Sequence, residues 1–186
     1  MNCIHCGSGN TQKRGFLSFG SQRRYCKDCK KWFSGDGAPK ILLLDIETSH
    51  IEFRGWDVGQ QYVRKDQVTK GWYIICWSAK WLFEPKVYSD SVSPSESKAR
   101  NDKEVVTSLH KMMTEADIVI TQNGDFFDIP KLNWKFMTYG LPPNNQYMSI
   151  DTYKKSKQIV APISRGLDWV ARELGFGGKS ETSEQD

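Results

Sequence analysis

Residues 42–48 read Leu-Leu-Leu-Asp-Ile-Glu-Thr, an apolar run that ends in two carboxylates. The run, counted from Lys40, predicts a buried strand. Because successive side chains of a strand alternate, Asp45 and Glu47 project to the same side. Two such carboxylates repel each other unless a cation joins them, and hard divalent cations prefer oxygen ligands of this kind. The alternative is an ordinary exposed strand end with two acids.

A second acidic stretch lies downstream, where residues 117–130 read Asp-Ile-Val-Ile-Thr-Gln-Asn-Gly-Asp-Phe-Phe-Asp-Ile-Pro. Its β-branched run predicts a buried strand, and a helix is expected to begin at Asp128 with Pro130 in its first turn. An acid there lies at the positive end of the helix dipole and is placed to face a metal. The alternative is a simple helix cap, formed by Asp128 or by Asp125.

Four of the five cysteines form two Cys-x-x-Cys pairs near the N-terminus, Cys3 with Cys6 and Cys26 with Cys29. Each pair lets two sulfurs of one tight turn bind a single ion, so together they predict a closed four-thiolate site. We expect structural Zn²⁺ there, and a cytoplasmic, reducing compartment that keeps the thiols unoxidised. The alternatives are four unliganded thiols or an iron centre in the same sulfur cage.

Positive charge is concentrated in this cysteine segment. The chain carries a net charge of +4, yet residues 1–40 alone hold eight Lys or Arg against two Asp. This asymmetry indicates a basic module beside a nearly neutral domain, and basic residues interleaved with aromatics suit nucleic-acid binding. The alternatives are that the charged side chains simply face solvent and that the aromatic side chains form a small core of the segment. The candidate nucleic-acid-binding residues of the segment are Lys13, Arg14, Arg23, Arg24, Lys30 and Lys31.

Composition divides the chain into four parts. Residues 1–34 are expected to form the metal-stabilised module, 35–39 a turn-rich linker, 40–178 the main domain and 179–186 a polar tail. With 186 residues, 38% of them hydrophobic and 26% charged, the composition is that of a globular protein. No apolar run approaches the ~20 residues of a membrane span, and the N-terminus lacks a secretory-signal pattern.

The pattern of the main domain begins with strands and then alternates helices with strands. This order predicts an α/β fold, and it matches the ribonuclease-H-like arrangement, although other α/β folds fit the pattern as well. Strands are expected at 51–58, 61–63, 72–82, 86–88, 117–121 and 149–152, helices at 100–116, 128–140 and 164–174, and loops at 89–97 and 142–145.

The acidic stretches resemble two motifs of the DEDD 3′–5′ exonucleases, which are members of the ribonuclease-H-like superfamily. Residues 45–48 resemble the first motif. Residues 123–128 resemble the second, in the form used by the proofreading domains of family-B DNA polymerases and related stand-alone nucleases. The resemblance covers about residues 40–178 and implies a ribonuclease-H-like mixed sheet with flanking helices. Residues 1–34 resemble a small zinc ribbon of the type attached to transposases and other nucleic-acid enzymes.

The resemblance implies a metal-dependent 3′–5′ exonuclease that hydrolyses nucleic-acid phosphodiesters, with single-stranded DNA favoured as substrate. Asp45, Glu47 and Asp128 would be catalytic and would bind two Mg²⁺ or Mn²⁺ ions. Asn123 and Phe127 would position the terminal nucleotide, unless Phe127 belongs to the core. A replication or repair protein is the other expected partner, and no membrane is expected.

One part of the family pattern is missing. The exonucleases carry a fourth carboxylate on a final helix, preceded by a Tyr or His, and this third motif is not found here. Asp151 and Asp168 precede the place where the fourth carboxylate is expected. Asp151 resembles the end of a strand and Asp168 the start of a helix. We therefore expect the chain to end before the third motif. The alternative function is a non-catalytic or truncated nucleic-acid-binding protein of the same fold.

Overall fold

The computed structural model describes residues 1–16, 22–34, 39–57, 59–60, 62–144 and 146–178. In this part of the chain, the strands are β1 (Thr11–Phe16), β2 (Gln22–Cys26), β3 (Trp32–Ser34), β4 (Ile41–Thr48), β5 (Glu52–Phe53), β6 (Val68–Lys70), β7 (Ile74–Trp81), β8 (Val87–Ser91), β9 (Ile118–Thr121) and β10 (Met148–Asp151). The α-helices are α1 (Pro94–Ala99), α2 (Lys103–Glu115), α3 (Asp128–Thr138), α4 (Thr152–Ile159) and α5 (Leu167–Glu173).

A five-stranded mixed sheet forms the main domain, in the order β10-β9-β4-β7-β8. The strands β4, β9 and β10 run parallel, whereas β7 runs antiparallel to both β4 and β8. The parallel strands are joined through helices, as parallel connections require, and β7 and β8 are joined by a short turn. The predicted mixed sheet with flanking helices is confirmed.

Side-chain alternation along β4 gives the sheet two different faces. Leu42, Leu44 and Ile46 are buried against the helical layer, whereas Asp45 and Glu47 are exposed on the other face. The helical layer is supplied by α2 and α3, whose buried side chains complete one core with the sheet. The two acids are thus held rigidly, because the neighbouring Leu44 and Ile46 are fixed by packing in the core.

A buried ion pair fastens α3 to the sheet. The Nζ atom of Lys135 lies 2.8 Å from Oδ2 of Asp102, and the same carboxylate accepts the backbone N–H of Ile74 at 2.7 Å. Tyr139 donates its hydroxyl to Asp102 as well. Since Asp102 is fully buried, these partners replace the water that an isolated carboxylate would need.

The N-terminal module is a separate three-stranded antiparallel sheet in the order β1-β2-β3. Among its described residues, the core consists of Cys3, Cys26 and Phe33, with Cys29 packed against them. So few apolar residues cannot stabilise a sheet of this size, and a bound metal is the usual substitute. The arrangement is compatible with the predicted zinc ribbon.

Several element boundaries differ from the sequence-based predictions. The predicted loop at 89–97 contains the end of β8 and the helix α1, because Ser93 and Glu96 form a capping box that starts a helix at Pro94. The predicted strand at 51–58 is reduced to β5, and the helix predicted from 164 begins at Leu167.

Two predicted segments fall mostly or wholly where the structure gives no description. Residues 35–38 of the linker and the whole of the 179–186 tail lie outside the described residues. The domain boundaries therefore stay predictions. Within the described ranges, no helix combines the length and the apolar character needed to cross a membrane.

Candidate functional site

The four paired cysteines converge on one point. The Sγ atoms of Cys3 and Cys29 are 3.5 Å apart, those of Cys6 and Cys26 are 3.6 Å apart, and all four sulfurs lie within 4.8 Å of one another. A tetrahedral zinc with bonds of about 2.3 Å requires sulfur–sulfur separations of about 3.8 Å. The sulfur cage therefore fits zinc.

The thiols of this cage differ in acidity. Backbone N–H groups of Cys29 and Asp28 lower the pKa of the Cys26 thiol to about 7, whereas burial raises that of Cys29 to about 12. Cys26 is therefore the thiol that most readily supplies a thiolate at neutral pH. Metal binding must displace the remaining thiol protons.

The acids of β4 lie at the carboxyl end of the parallel strands. The pairing of β4 with β9 ends at Leu43, so Asp45 and Glu47 extend beyond the neighbouring strand. On the other side they pair with Ser78 and Cys76 of β7. Burial and the charges of Glu47 and Asp45 raise the pKa of the Cys76 thiol. Open α/β sheets bind ligands at this end of their strands.

Asp128 joins these acids from the start of α3. Its carboxylate is buried and accepts the backbone N–H of Ile46 on β4 at 3.0 Å, so it connects helix and strand and is not a simple cap. Burial raises the pKa of Asp128 to about 6, and the charges of Asp45 and Glu47 add to the effect. Three like charges that influence one another in this way form a donor set suited to a hard divalent cation.

The three carboxylates are spaced more widely than the thiols. Among the described residues, the four cysteines are the one group of His, Cys, Asp or Glu side chains whose ligand atoms all lie within 4.8 Å of one another. The residues Asp45, Glu47 and Asp128 therefore fit a divalent cation by chemistry and by location, but their oxygens do not form an equally tight cage.

An open cavity of about 710 Å³ lies on the sheet face that carries the acids. Asp45 and Glu47 line it, together with Asp168 and with polar residues that the sequence motifs did not single out, namely Ser78, Lys80, Gln122 and Thr152. Alternation along β7 could have identified two of these, because Ser78 and Lys80 alternate with the buried Trp77 and Ala79. Asp168 is 3.0 Å from Arg172 on α5.

Residues 122–125 form the turn that leads to α3, and Asp151 shapes it. The buried carboxylate of Asp151 accepts backbone N–H bonds from Asn123 at 3.0 Å and Asp125 at 3.3 Å, and two more from its own helix start. Asn123 has a positive φ of 61°. A Cβ on Gly124 would lie 2.2 Å from Oγ1 of Thr121, so only glycine fits there. The sequence pattern does not indicate this role for Asp151.

Of the two predicted nucleotide-positioning residues, Asn123 lies in this turn and Phe127 follows it. Phe127 is 37% exposed and Phe126 is 80% exposed, so neither is a core residue. Lys131, one helical turn later, holds its Nζ 4.8 Å from the Phe127 ring centre and 4.0 Å from that of Trp72. Burial and the nearby Lys135 lower the pKa of Lys131. An exposed ring and a cation therefore lie beside Asp128 at the start of α3.

Two of the predicted nucleic-acid contacts face the protein itself. The Nζ atom of Lys13 lies 3.0 Å from Asp117 and donates to the carbonyl of Ala116 at 2.8 Å, while Arg24 lies 3.9 Å from the same carboxylate. Their side chains are 6% and 14% exposed. The prediction for these two residues is wrong, because their charges attach the N-terminal module to the main domain. Arg14, Arg23, Lys30 and Lys31 are exposed.

A comparison with solved structures places this architecture beside a family B DNA polymerase from the hyperthermophilic archaeon Pyrobaculum calidifontis. The TM-score is 0.52 and the sequence identity is 16%, so the likeness shows the fold alone. It covers 89% of this chain and 22% of the polymerase, which means that the chain spans about a fifth of the polymerase's length. A search of curated proteins gave no match.

A family model for the RNase_H superfamily matches residues 61–185. The matched segment contains Asn123 and Asp128 and begins after the β4 strand that carries Asp45 and Glu47. It accounts for well over half of the chain, and the mixed sheet with its flanking helices is the fold expected from it. The chain therefore belongs to the RNase_H superfamily.

Proposed function

We propose that this protein is a metal-dependent 3′–5′ exonuclease that acts on single-stranded DNA. Superfamily membership supports a nuclease-type function on nucleic acid. The observation that carries the proposal is the position of Asp45 and Glu47 at the carboxyl end of the sheet, where they line an open cavity of about 710 Å³ and their charges add to the effect of burial in raising the pKa of Asp128. The direction of digestion and the preference for DNA rest on the motif resemblance.

Asp45, Glu47 and Asp128 would hold Mg²⁺ or Mn²⁺ in this cavity. A divalent cation there supplies a Lewis acid for the phosphoryl oxygens and lowers the pKa of a bound water. The protein's own residues orient the strand. Phe127 offers an exposed ring for the terminal base, and the ammonium group of Lys131, close to that ring, is available to a phosphate.

The rigidity of the site comes from residues behind it. Ile46 fixes the Asp128 carboxylate through its N–H group, and Asp151 fixes the turn that contains Asn123. Such support keeps the acidic groups in place although they repel one another. We also propose that the protein works in a reducing compartment, since its thiol cage requires one, and that a replication or repair protein is a second partner.

A second candidate function is nucleic-acid binding without catalysis. The observation in its favour is the wide spacing of the carboxylates compared with the thiols. A site of three separated acids, without the family's fourth carboxylate, would hold a cation less tightly than two-metal hydrolysis requires.

The two candidates differ in a nuclease assay on the zinc-loaded full chain. Single-stranded DNA labelled at the 3′ or the 5′ end is incubated with Mn²⁺, with Mg²⁺ or without added metal, beside the variants Asp45→Asn and Asp66→Asn. Asp66 is an exposed acid paired with Arg64, so its variant is the matched control. Exonuclease function predicts stepwise loss from the 3′ end that needs metal, persists in Asp66→Asn and falls at least about a hundredfold in Asp45→Asn.

Degradation that is equal in Asp45→Asn and in the unmodified chain would place the activity outside this cavity. No degradation in any metal, together with DNA binding that weakens as salt is added, would favour the non-catalytic candidate.

A further inference from the structure

The N-terminal module, residues 1–34, has an inner and an outer face. Lys13 and Arg24 are paired across β1 and β2, so their side chains share one face. That face lies against the main domain, where both side chains approach the Asp117 carboxylate. Lys40 also donates its backbone N–H to Asp117 at 2.9 Å. The inner face is therefore occupied by a largely buried ionic contact.

The outer face carries aromatic rings and unburied cations. Tyr25 pairs with Trp32 across β2 and β3, and their ring centres are 5.0 Å apart. The guanidinium of Arg23 lies 4.1 Å from the centre of the Trp32 ring, which is 47% exposed. Further exposed cations belong to the same module, namely Arg14, Lys30 and Lys31.

Acidic groups do little to offset these charges. Asp28 is the one acid that the sequence contains between residues 1 and 34. Its carboxylate accepts a bond from Asn10 Nδ2 at 2.7 Å and another from the Ser8 hydroxyl, so it is engaged within the module. A basic surface with an exposed indole and guanidinium suits a single nucleic-acid strand, whose phosphates meet the cations and whose bases stack on the rings.

The position of the module relative to the carboxylates is set by the sheet. Lys40 and Asp117 precede β4 and β9, so the ionic contact lies at the amino end of the parallel strands. Asp45 and Glu47 lie toward the opposite end. Lys40 and Glu47 are seven residue steps apart, nearly all within β4, which corresponds to about 23 Å at ~3.3 Å per residue.

We propose that the outer face of the N-terminal module is a remote anchor for a single-stranded nucleic acid, held at a fixed distance from the carboxylate cavity by the contact of Lys13 with Asp117. The proposal rests on the proposed function for the identity of the cavity's substrate. A strand that engages both surfaces must span at least about 20 Å, or roughly six nucleotide steps when its bases are stacked at a rise of ~3.4 Å.

Binding at two rigidly joined surfaces depends on strand length. A short strand reaches one surface at a time, whereas a longer strand gains from the second contact at high effective concentration. Affinity is thus expected to rise sharply once the strand exceeds the separation, and the rise is expected to require Arg23 and Trp32.

The test is fluorescence anisotropy with labelled oligo-dT of 4 and 16 nucleotides, on the zinc-loaded full chain with Ca²⁺, a hard cation that carboxylates bind, in place of Mg²⁺ or Mn²⁺. The unmodified chain is expected to bind the 16-mer at least about tenfold more tightly than the 4-mer. Trp32→Ala is expected to weaken 16-mer binding about tenfold and 4-mer binding by less, so that the advantage of the longer strand falls. Arg23→Gln is expected to reduce the slope of log affinity against log salt by about 0.7.

Lys111→Gln, which changes an exposed lysine of α2, is the matched control and is expected to retain the affinity for the 16-mer. Zinc content of one ion per chain in each variant verifies that the module stays folded. Equal affinity for the two lengths, or unchanged 16-mer binding in Trp32→Ala and Arg23→Gln, would overturn the proposal. A 16-base-pair duplex that binds as tightly as the 16-mer would overturn the choice of a single strand.

The outcomes also separate this proposal from the proposed function. Length-dependent binding through Trp32 without any degradation would leave the anchor intact and remove the exonuclease. Metal-dependent degradation at equal rates for 4-mer and 16-mer, unaffected by Trp32→Ala, would leave the exonuclease intact and remove the anchor.

Discussion

The two candidate metal sites of this protein are built in opposite ways. The thiol cage takes its four ligands from two tight turns of one small module, and its sulfurs all lie within 4.8 Å of one another. The proposed carboxylate site draws on a strand and a helix, and the two acids of the strand, Asp45 and Glu47, line an open cavity. A closed site with no room for a substrate stabilises a fold, whereas an open one is suited to bind and release a ligand.

The largest effect is expected from loss of the thiol cage. Structural zinc supplies roughly 10–16 kcal/mol to small metal-dependent modules, far more than the few buried apolar residues here can replace. Cys3→Ser is therefore expected to abolish zinc binding and hydrogen-exchange protection in β1, β2 and β3 while β4 stays protected. Cys76→Ser, which changes the cysteine of β7, is the control.

Retained protection in the zinc-free Cys3→Ser variant would show that the module folds without metal. Loss of protection in both sheets would show that the main domain depends on the module, contrary to its separate core.

The second effect concerns the turn behind the carboxylates. Asp151→Ala removes the acceptor of four backbone N–H groups and is expected to destabilise the main domain by about 2–4 kcal/mol. Urea unfolding followed by tryptophan fluorescence measures this loss. Asp66→Asn, on the exposed surface, is expected to change the free energy of unfolding by less than about 0.5 kcal/mol. A similar loss in both variants would contradict a special role for Asp151.

The third effect is a gain in the free energy of unfolding, where the first two are losses. The pKa of Asp128 is about 6 in the folded chain and about 4 when unfolded, so ionisation of this group costs stability above pH 6. Asp128→Asn keeps an acceptor for the Ile46 N–H and carries no charge. It is therefore expected to raise the free energy of unfolding at pH 7.5, without divalent metal, by on the order of 2 kcal/mol.

The gain from Asp128→Asn is expected to shrink as the pH falls from 6 toward 4, because the native carboxyl is then protonated as well. Thermal unfolding of Asp128→Asn and of the unmodified chain at pH 4.5 and at pH 7.5 measures this gain with the native Asp128 carboxyl largely protonated and with it ionised. An equal gain at both values would mean that neither burial nor repulsion from Asp45 and Glu47 raises the pKa of Asp128.

The smallest effect concerns the contact between the two regions. Lys13→Met removes one of the groups around Asp117, which keeps the Lys40 N–H and Arg24, so a loss of about 1–2 kcal/mol is expected. Hydrogen exchange of the Ile118 amide, next to the contact, is expected to accelerate, with Lys27→Met as the exposed control. Unchanged exchange in Lys13→Met would mean that the ionic contact does not hold the module in place.

Sequence patterns predicted best those features that depend on local periodicity. The alternation around Asp45 predicted both the strand β4 and the shared face of its two acids, and the cysteine spacing predicted the thiol cage. The helix start at Asp128 was predicted from the turn residues before it. Each of these follows from residues that are close in the chain.

Features that depend on long-range contacts were missed. Nothing near Lys13 in the chain indicates that it meets Asp117 more than 100 residues later, so it was assigned to nucleic acid with the other cations. The sequence pattern indicates only a strand end at Asp151, because the bonds of Asp151 to the 123–125 turn depend on the parallel pairing of β9 with β10. Periodicity does not show which strands pair.

The most direct test of the contrast between the two sites is calorimetric titration of Mn²⁺ into the zinc-loaded chain at pH 7.5, beside the variant Glu47→Gln. We expect the unmodified chain to bind Mn²⁺ and Glu47→Gln to lose at least about tenfold in affinity while retaining one zinc per chain. Equal Mn²⁺ binding by both proteins, or none by either, would contradict a divalent-cation site at the carboxyl end of the sheet.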